Sequence, residues 1–181
     1  MPFQMFYEIF PVLARKENRS VIVPEDNPIL PPDEYGFLET YCNEDGCDCR
    51  RVLFNVASKN RNEYVAVIGY GWESADFYRQ WTTQDDPEFV RAMQGPALNP
   101  LSPQSALAPA LLDLTENFLL QDATYIDRLK RHYQIFKEKV DPKHFSPSGA
   151  KVGRIVEPVY EKLDKVTVAP SLKKKPRKRR H

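Results

Sequence analysis

RVLFNVASKNRNEYVAVIGY, residues 51–70, is the stretch that sets the fold class. Its two ends, residues 51–57 (RVLFNVA) and 64–70 (YVAVIGY), are rich in β-branched and aromatic side chains, which pack well on a pleated surface. The intervening Ser58-Lys59-Asn60-Arg61-Asn62-Glu63 is polar and short. A hairpin with antiparallel strands follows from that pattern. Upstream, Phe3, Met5, Tyr7 and Ile9 alternate as a strand with one buried face would, and residues 20–23 (SVIV) read as a short strand ended by Pro24. Residues 27–33, with Pro28, Pro31 and Pro32, read as an extended connection.

Downstream of Trp72 the period changes. Ser74 is placed to cap a short helix reaching Trp81, and Asp86-Pro87 is an N-cap followed by proline at the first helical position. Leu107, Leu111, Leu114 and Phe118 share one helical face, which Pro109 would interrupt if the helix began as early as Ser102. A longer helix is expected over residues 122–140. Ile126, Leu129, Tyr133, Phe136 and Val140 form its apolar stripe, and Asp127, Arg128, Lys130, Arg131 and Lys137 point outward. The short Gln121-Asp122 break predicts an antiparallel helical pair. Prolines 142, 147, 158 and 170 then fragment the chain, with only modest helix or strand potential in residues 158–168. The fold class is therefore α+β: an N-terminal antiparallel sheet with a C-terminal helical pair. One domain is expected over residues 1–168, with a disordered basic tail at 169–181.

Composition narrows the function. The chain has 181 residues, 41% hydrophobic and 28% charged, with 16 prolines against 7 glycines and a formal charge of +1. That charge is an average of unlike parts. Lys173, Lys174, Lys175, Arg177, Lys178, Arg179 and Arg180 supply seven positive charges, and without them 19 basic residues face 25 acidic ones. An acidic body thus carries a basic tail that could contact nucleic acid or another polyanion. The tail has no aromatic residue to stack on bases, so such contact would be non-specific. A solvated tail, or one folded against the acidic body, is the alternative. No apolar run is long enough to span a bilayer. The start, MPFQMFYEIF, lacks a basic segment and carries Glu8, which argues against a signal peptide, and without secretion the Asn18-Arg19-Ser20 glycosylation match carries no weight. No repeat of 20 to 50 residues is visible. Gly69-Tyr70-Gly71-Trp72 has neither the third glycine nor the lysine of a phosphate-binding loop and reads as a tight turn.

The chemistry concentrates in YCNEDGCDCRR, residues 41–51. Cys42, Cys47 and Cys49 have the spacing C-x4-C-x-C, and Asn43 to Gly46 is turn-forming, with Gly46 free to take positive φ and fold the loop back on itself. Three cysteines this close do not make a disulfide framework and suggest a reducing, cytoplasmic setting. Thiolates are favoured ligands for Zn2+, and a closed structural site needs four ligands. Thiol redox chemistry and plain buried thiols are the alternatives, although Asn43, Glu44, Asp45 and Asp48 make an apolar setting for all three sulfurs unattractive. Glu39, Glu44, Asp45 and Asp48 read as loop-solvating carboxylates rather than an acid/base pair. His132, on or beside the apolar face of the long helix, is the expected fourth ligand. His144 is the runner-up, His181 is remote, and Asp48 or a water could also complete the sphere. Three thiolates and one imidazole around Zn2+ would carry −1, which Arg50 and Arg51 could offset.

The segment FLETYCNEDGCDCRRVLFNV, together with RLKRHYQIF later in the chain, resembles a group of uncharacterised prokaryotic proteins that share YC-x4-CDCRRV. Many of those resemble modular proteins ending in a cysteine-rich SEC-C zinc module. This chain instead ends KKKPRKRRH, without that module. The resemblance spans about residues 35–137 and implies that Cys42, Cys47, Cys49 and His132 act as a unit. It implies no particular activity. The combined expectation is a cytoplasmic zinc protein with a structural Cys3His site, serving as a binding or scaffolding module. The rival is a metal-dependent hydrolase with water in the fourth position.

Overall fold

The computed structural model describes residues 3–83, 85–146 and 165–167. The expected domain boundary after residue 168 and the basic tail lie outside those residues. Strands β1 (Phe3–Met5), β2 (Arg19–Val23), β3 (Asp33–Cys42), β4 (Arg51–Ser58), β5 (Glu63–Gly71), β6 (Ala97–Leu98) and β7 (Lys165–Thr167) form one sheet in the order β6-β5-β4-β3-β2-β7. Strand β1 also pairs with β3. All pairings are antiparallel except that of β2 with β7. The β4–β5 hairpin forms as the sequence predicts, turning at residues 59–62 with Asn62 at φ 53°.

Strand β3 is the spine. One edge pairs with β4 from Tyr35 to Thr40, while β2 covers residues 33–37 and β1 covers 40–42 of the other edge. The sequence pattern hides it because its inward positions, Tyr35, Phe37, Glu39 and Tyr41, include a carboxylate and its interior includes Gly36. In β4, Val52, Phe54 and Val56 alternate inward and are fully buried. Each such side chain contributes roughly 1.5–3 kcal/mol through removal from water.

The N-terminus departs from expectation. Only Phe3–Met5 is strand; α1 (Phe6–Ile9) and α2 (Pro11–Glu17) follow. Phe6 is buried while Tyr7 is exposed, and Phe6 and Phe10 pack at 5.1 Å, so the operative period is four rather than two. Pro11 then sits in the first turn of α2, where its missing N–H costs nothing.

Helices α3 (Ala75–Thr82) and α4 (Pro87–Gln94) begin at their expected caps, Ser74 and Asp86. Residues 69–71 are not a turn: β5 runs through Gly71, where a Cβ would meet the buried Tyr78 ring. Helix α5 (Ala108–Asn117) starts at Pro109's own turn, so that proline does not interrupt it. A 3-10 turn (Leu119–Gln121) leads to α6 (Ala123–Val140), capped by Asp122, which accepts from the Thr124 and Tyr125 N–H groups. The other Asp122 oxygen binds Arg19 of β2 at 2.8 Å and pins the start of α6 to the sheet. Helix α5 lies against β5 and β6, α6 against β4 and α1, and the one-turn α7 (Pro142–Phe145) is the last helix among the described residues. Leu129, Tyr133 and Phe136 of α6 join Tyr41, Val52 and Phe54 in one core. Among the described residues, no helix is long and apolar enough to cross a membrane.

Candidate metal centre

Strand β3 ends at Cys42 and β4 begins at Arg51, so the cysteine loop is the connection between two paired strands. Gly46 takes φ +67°, and the Cys47 N–H donates to the Glu44 carbonyl at 3.2 Å to close the turn. Arg50, at φ +47°, redirects the chain into β4, and Tyr78 Oη donates to its carbonyl at 2.9 Å. The result is convergence: the three sulfurs lie within 4.8 Å of one another. Tetrahedral zinc with Zn–S of about 2.3 Å sets sulfurs roughly 3.8 Å apart, a separation compatible with this cluster. Cys42 and Cys49 are buried and Cys47 half-buried.

The thiols act on one another. Hydrogen bonds from Cys47 and Cys49 hold the Cys42 thiol far below its ordinary range, against the opposing effect of burial and with help from the Lys137 charge. Cys47 and Cys49 are pushed up, chiefly because each shares its proton with Cys42 and is partly desolvated. One negative charge therefore forms readily, and further charges are opposed until a cation joins the cluster.

Lys137 is the residue the sequence pattern misplaces. It is expected on the outer face of α6, yet it is fully buried. Its ammonium donates to the Glu44 carbonyl at 3.0 Å and the Cys42 carbonyl at 3.4 Å, and lies 4.7 Å from the centre of the Phe145 ring. Two loop carbonyls and the Phe145 ring outweigh the helical charge pattern. The signal that could have found it is its place one turn after Tyr133, on the inward face. Arg50 does not serve the sulfurs, being held by Asp48 and Glu73 and stacked on Phe77. Arg51 donates to the Ala92 carbonyl and Met93 Sδ, and its burial pushes the guanidinium below its ordinary value.

His132 is not brought to the cysteines. It is fully buried, with Nδ1 2.6 Å from Glu39 Oε2 and Nε2 2.9 Å from Glu17 Oε2. Phe6 stacks on the ring at 4.3 Å, Tyr41 Oη donates to Glu39 at 2.8 Å, and Arg131 binds Glu17. Each ring nitrogen lies within hydrogen-bonding distance of a carboxylate, so both are engaged away from the sulfurs. The expected assignment is corrected accordingly: His132 joins α6 to β3 and α2. Glu39 likewise leaves the set of loop-solvating carboxylates.

Asp48, another candidate ligand, accepts from Tyr133 Oη through one oxygen and from Arg50 through the other. His144 does stand beside the loop. A Cβ built on Gly46 would lie 3.7 Å from both Cε1 and Nε2 of its ring. Its Nδ1 is 2.8 Å from Asp141 Oδ1, and Asp141 Oδ2 accepts the Gly46 N–H at 2.6 Å. That N–H and the neighbouring imidazole hold Asp141 below the ordinary carboxylate range, although burial acts the other way. His181 and the seven basic tail residues, Lys173 to Lys175 and Arg177 to Arg180, lie outside the described residues.

A cavity of about 320 Å3 opens near the loop, walled by Asp48, Arg50, Trp72, Glu73, Tyr133 and Phe145. None of the three cysteines lines it. No protein-family model, curated protein or solved structure matches this chain.

Proposed function

We propose that this is a zinc protein in which Cys42, Cys47 and Cys49 hold a structural Zn2+ that fixes the β3–β4 loop against α6, and that the folded body serves as a binding or scaffolding module in the cytoplasm. The observation that carries the reading is the convergence of three sulfurs on one loop, backed by a buried ammonium. Three thiolates and Zn2+ sum to −1, and Lys137 brings the centre to neutrality without solvent. A structural role is favoured over hydrolysis because two of the sulfurs are buried and none faces the neighbouring cavity, whereas a catalytic zinc needs an open position. Metal binding at such a site contributes several kcal/mol, comparable with the net stability of a small domain.

Purified protein should carry one zinc per chain. Chelation, or the Cys42→Ser substitution, should lower its melting temperature. Metal-free protein whose melting ignores both zinc and chelator would refute the proposal. Turnover lost from an equally stable Cys42→Ser variant would favour the hydrolase. The tail reading rests on charge: deleting residues 173–181 should abolish retention on polyanions at low salt, and unchanged retention would remove the tail from the function.

A further inference from the structure

The sulfurs supply three ligands, and a closed tetrahedral centre needs a fourth. We infer that His144 provides it through Nε2, with Asp141 as the carboxylate that orients the ring. The inference rests on the three-cysteine zinc reading and goes beyond it in completing the ligand set from a different part of the chain. Hydrogen bonding settles which nitrogen is available. Nδ1 faces Asp141 Oδ1 at 2.8 Å, so its hydrogen is committed there, and the lone pair of the neutral ring resides on Nε2. Nε2 is also one of the two ring atoms nearest Gly46, the residue directly before Cys47.

The same carboxylate serves both parts. Asp141 Oδ2 accepts the Gly46 N–H at 2.6 Å, so one side chain fixes the loop and the imidazole together. A histidine ligand whose other nitrogen donates to a carboxylate is the usual outer-shell arrangement around protein-bound zinc. Gly46 is suited to the turn because it holds φ +67°, and a Cβ built there would touch the ring at an ordinary 3.7 Å. The competing ligands are occupied, His132 by Glu17 and Glu39 and Asp48 by Tyr133 and Arg50. The imidazole stands next to the sulfur group rather than within it, and its side chain is 41% exposed. Closure therefore asks the imidazole to swing toward the sulfurs, with Asp141 holding both the ring and the Gly46 N–H.

The test uses the full-length chain loaded with Co2+, whose absorption reports ligand number and type, alongside competition for Zn2+. The wild type should give a tetrahedral spectrum with thiolate-to-cobalt charge transfer. His144→Ala should weaken metal binding by more than about 100-fold, and Asp141→Asn by about 10–100-fold with the ligand-field bands kept. His144→Cys should restore tight binding and raise the charge-transfer intensity by about a third, four thiolates replacing three. His144→Ala protein that binds as tightly as wild type with the same bands would overturn the inference while leaving the three-cysteine site standing. A wild-type chain without thiolate charge transfer would overturn both.

Discussion

Lys137 and Cys42 are 95 residues apart in the chain, yet the ammonium of the first donates to the backbone carbonyl of the second in the interior. The same ammonium satisfies the Glu44 carbonyl, so Lys137 binds the loop backbone from within. Lys137→Met keeps the aliphatic bulk and removes both donations. Leaving two carbonyls unpaired should cost about 1–3 kcal/mol in denaturant unfolding, and the loss of the offsetting charge should also weaken zinc binding. Unchanged stability together with unchanged zinc affinity would show that the buried charge is irrelevant to the loop.

His132 and the cysteines belong to separate constellations, and that separation is measurable. Glu39→Ala strands one nitrogen of His132 and leaves the Tyr41 hydroxyl only the Leu129 carbonyl, at 3.1 Å. Removing one partner of such a buried network costs about 3–5 kcal/mol. The folded fraction should nevertheless hold zinc at wild-type stoichiometry. Zinc loss in folded Glu39→Ala or His132→Gln protein would place the imidazole back at the metal.

Gly71 marks a close approach. A Cβ at this position would sit 2.1 Å from Tyr78 Oη and 2.5 Å from Cζ. Tyr78 is fully buried and its hydroxyl is tied to the Arg50 carbonyl, so the ring has no inexpensive retreat. Gly71→Ala should destabilise the protein by about 1–3 kcal/mol through overpacking. In a double-mutant cycle with Tyr78→Ala the two effects should be markedly less than additive, and full additivity would deny the contact.

Acid should loosen the α2–α6 junction. Burial alone would raise the Glu17 carboxyl, but the Arg131 hydrogen bond and the His132 and Arg131 charges outweigh it and hold Glu17 below its ordinary 4.5. A depressed carboxylate contributes stability that is complete above the unfolded value and is lost as pH falls through the folded one. Urea unfolding followed from about pH 5 down to about pH 2 should therefore show wild type losing more stability than Glu17→Gln. Parallel curves would mean that Glu17 carries no folded-state shift.

The hairpin, the caps at Ser74 and Asp86, and the long helix were legible because each is written in neighbouring residues. Local propensity and capping need no knowledge of the rest of the fold. Cys42, Cys47 and Cys49 were legible for the same reason, sharing one eight-residue loop. What escaped was whatever depends on distant partners. Glu39 made β3 unreadable as a half-buried strand because its hydrogen-bond partner, His132, lies in α6. Lys137 read as surface because its acceptors are loop carbonyls, and carbonyls leave no mark in a sequence. His132 resembled a ligand through its position on the inner helical face, which was right; the carboxylate from α2 that claims its second nitrogen could not be seen. Phe3, Met5, Tyr7 and Ile9 suggest alternation, whereas the four-residue spacing of Phe6 and Phe10 is what operates.

The tie between Gly46 and Asp141 bears on the order of assembly. The loop begins forming as β3 and β4 pair, a local event, but one of its backbone N–H groups is satisfied only by a carboxylate just past the end of α6. Closing a contact of that sequence separation comes late, after most of the intervening chain has collapsed. The metal-binding geometry is thus completed only when α6 has docked, so the cluster should acquire its final affinity in the last phase of refolding. A thiolate–cobalt signal would then time the arrival of the native state rather than the formation of the hairpin that carries the sulfurs.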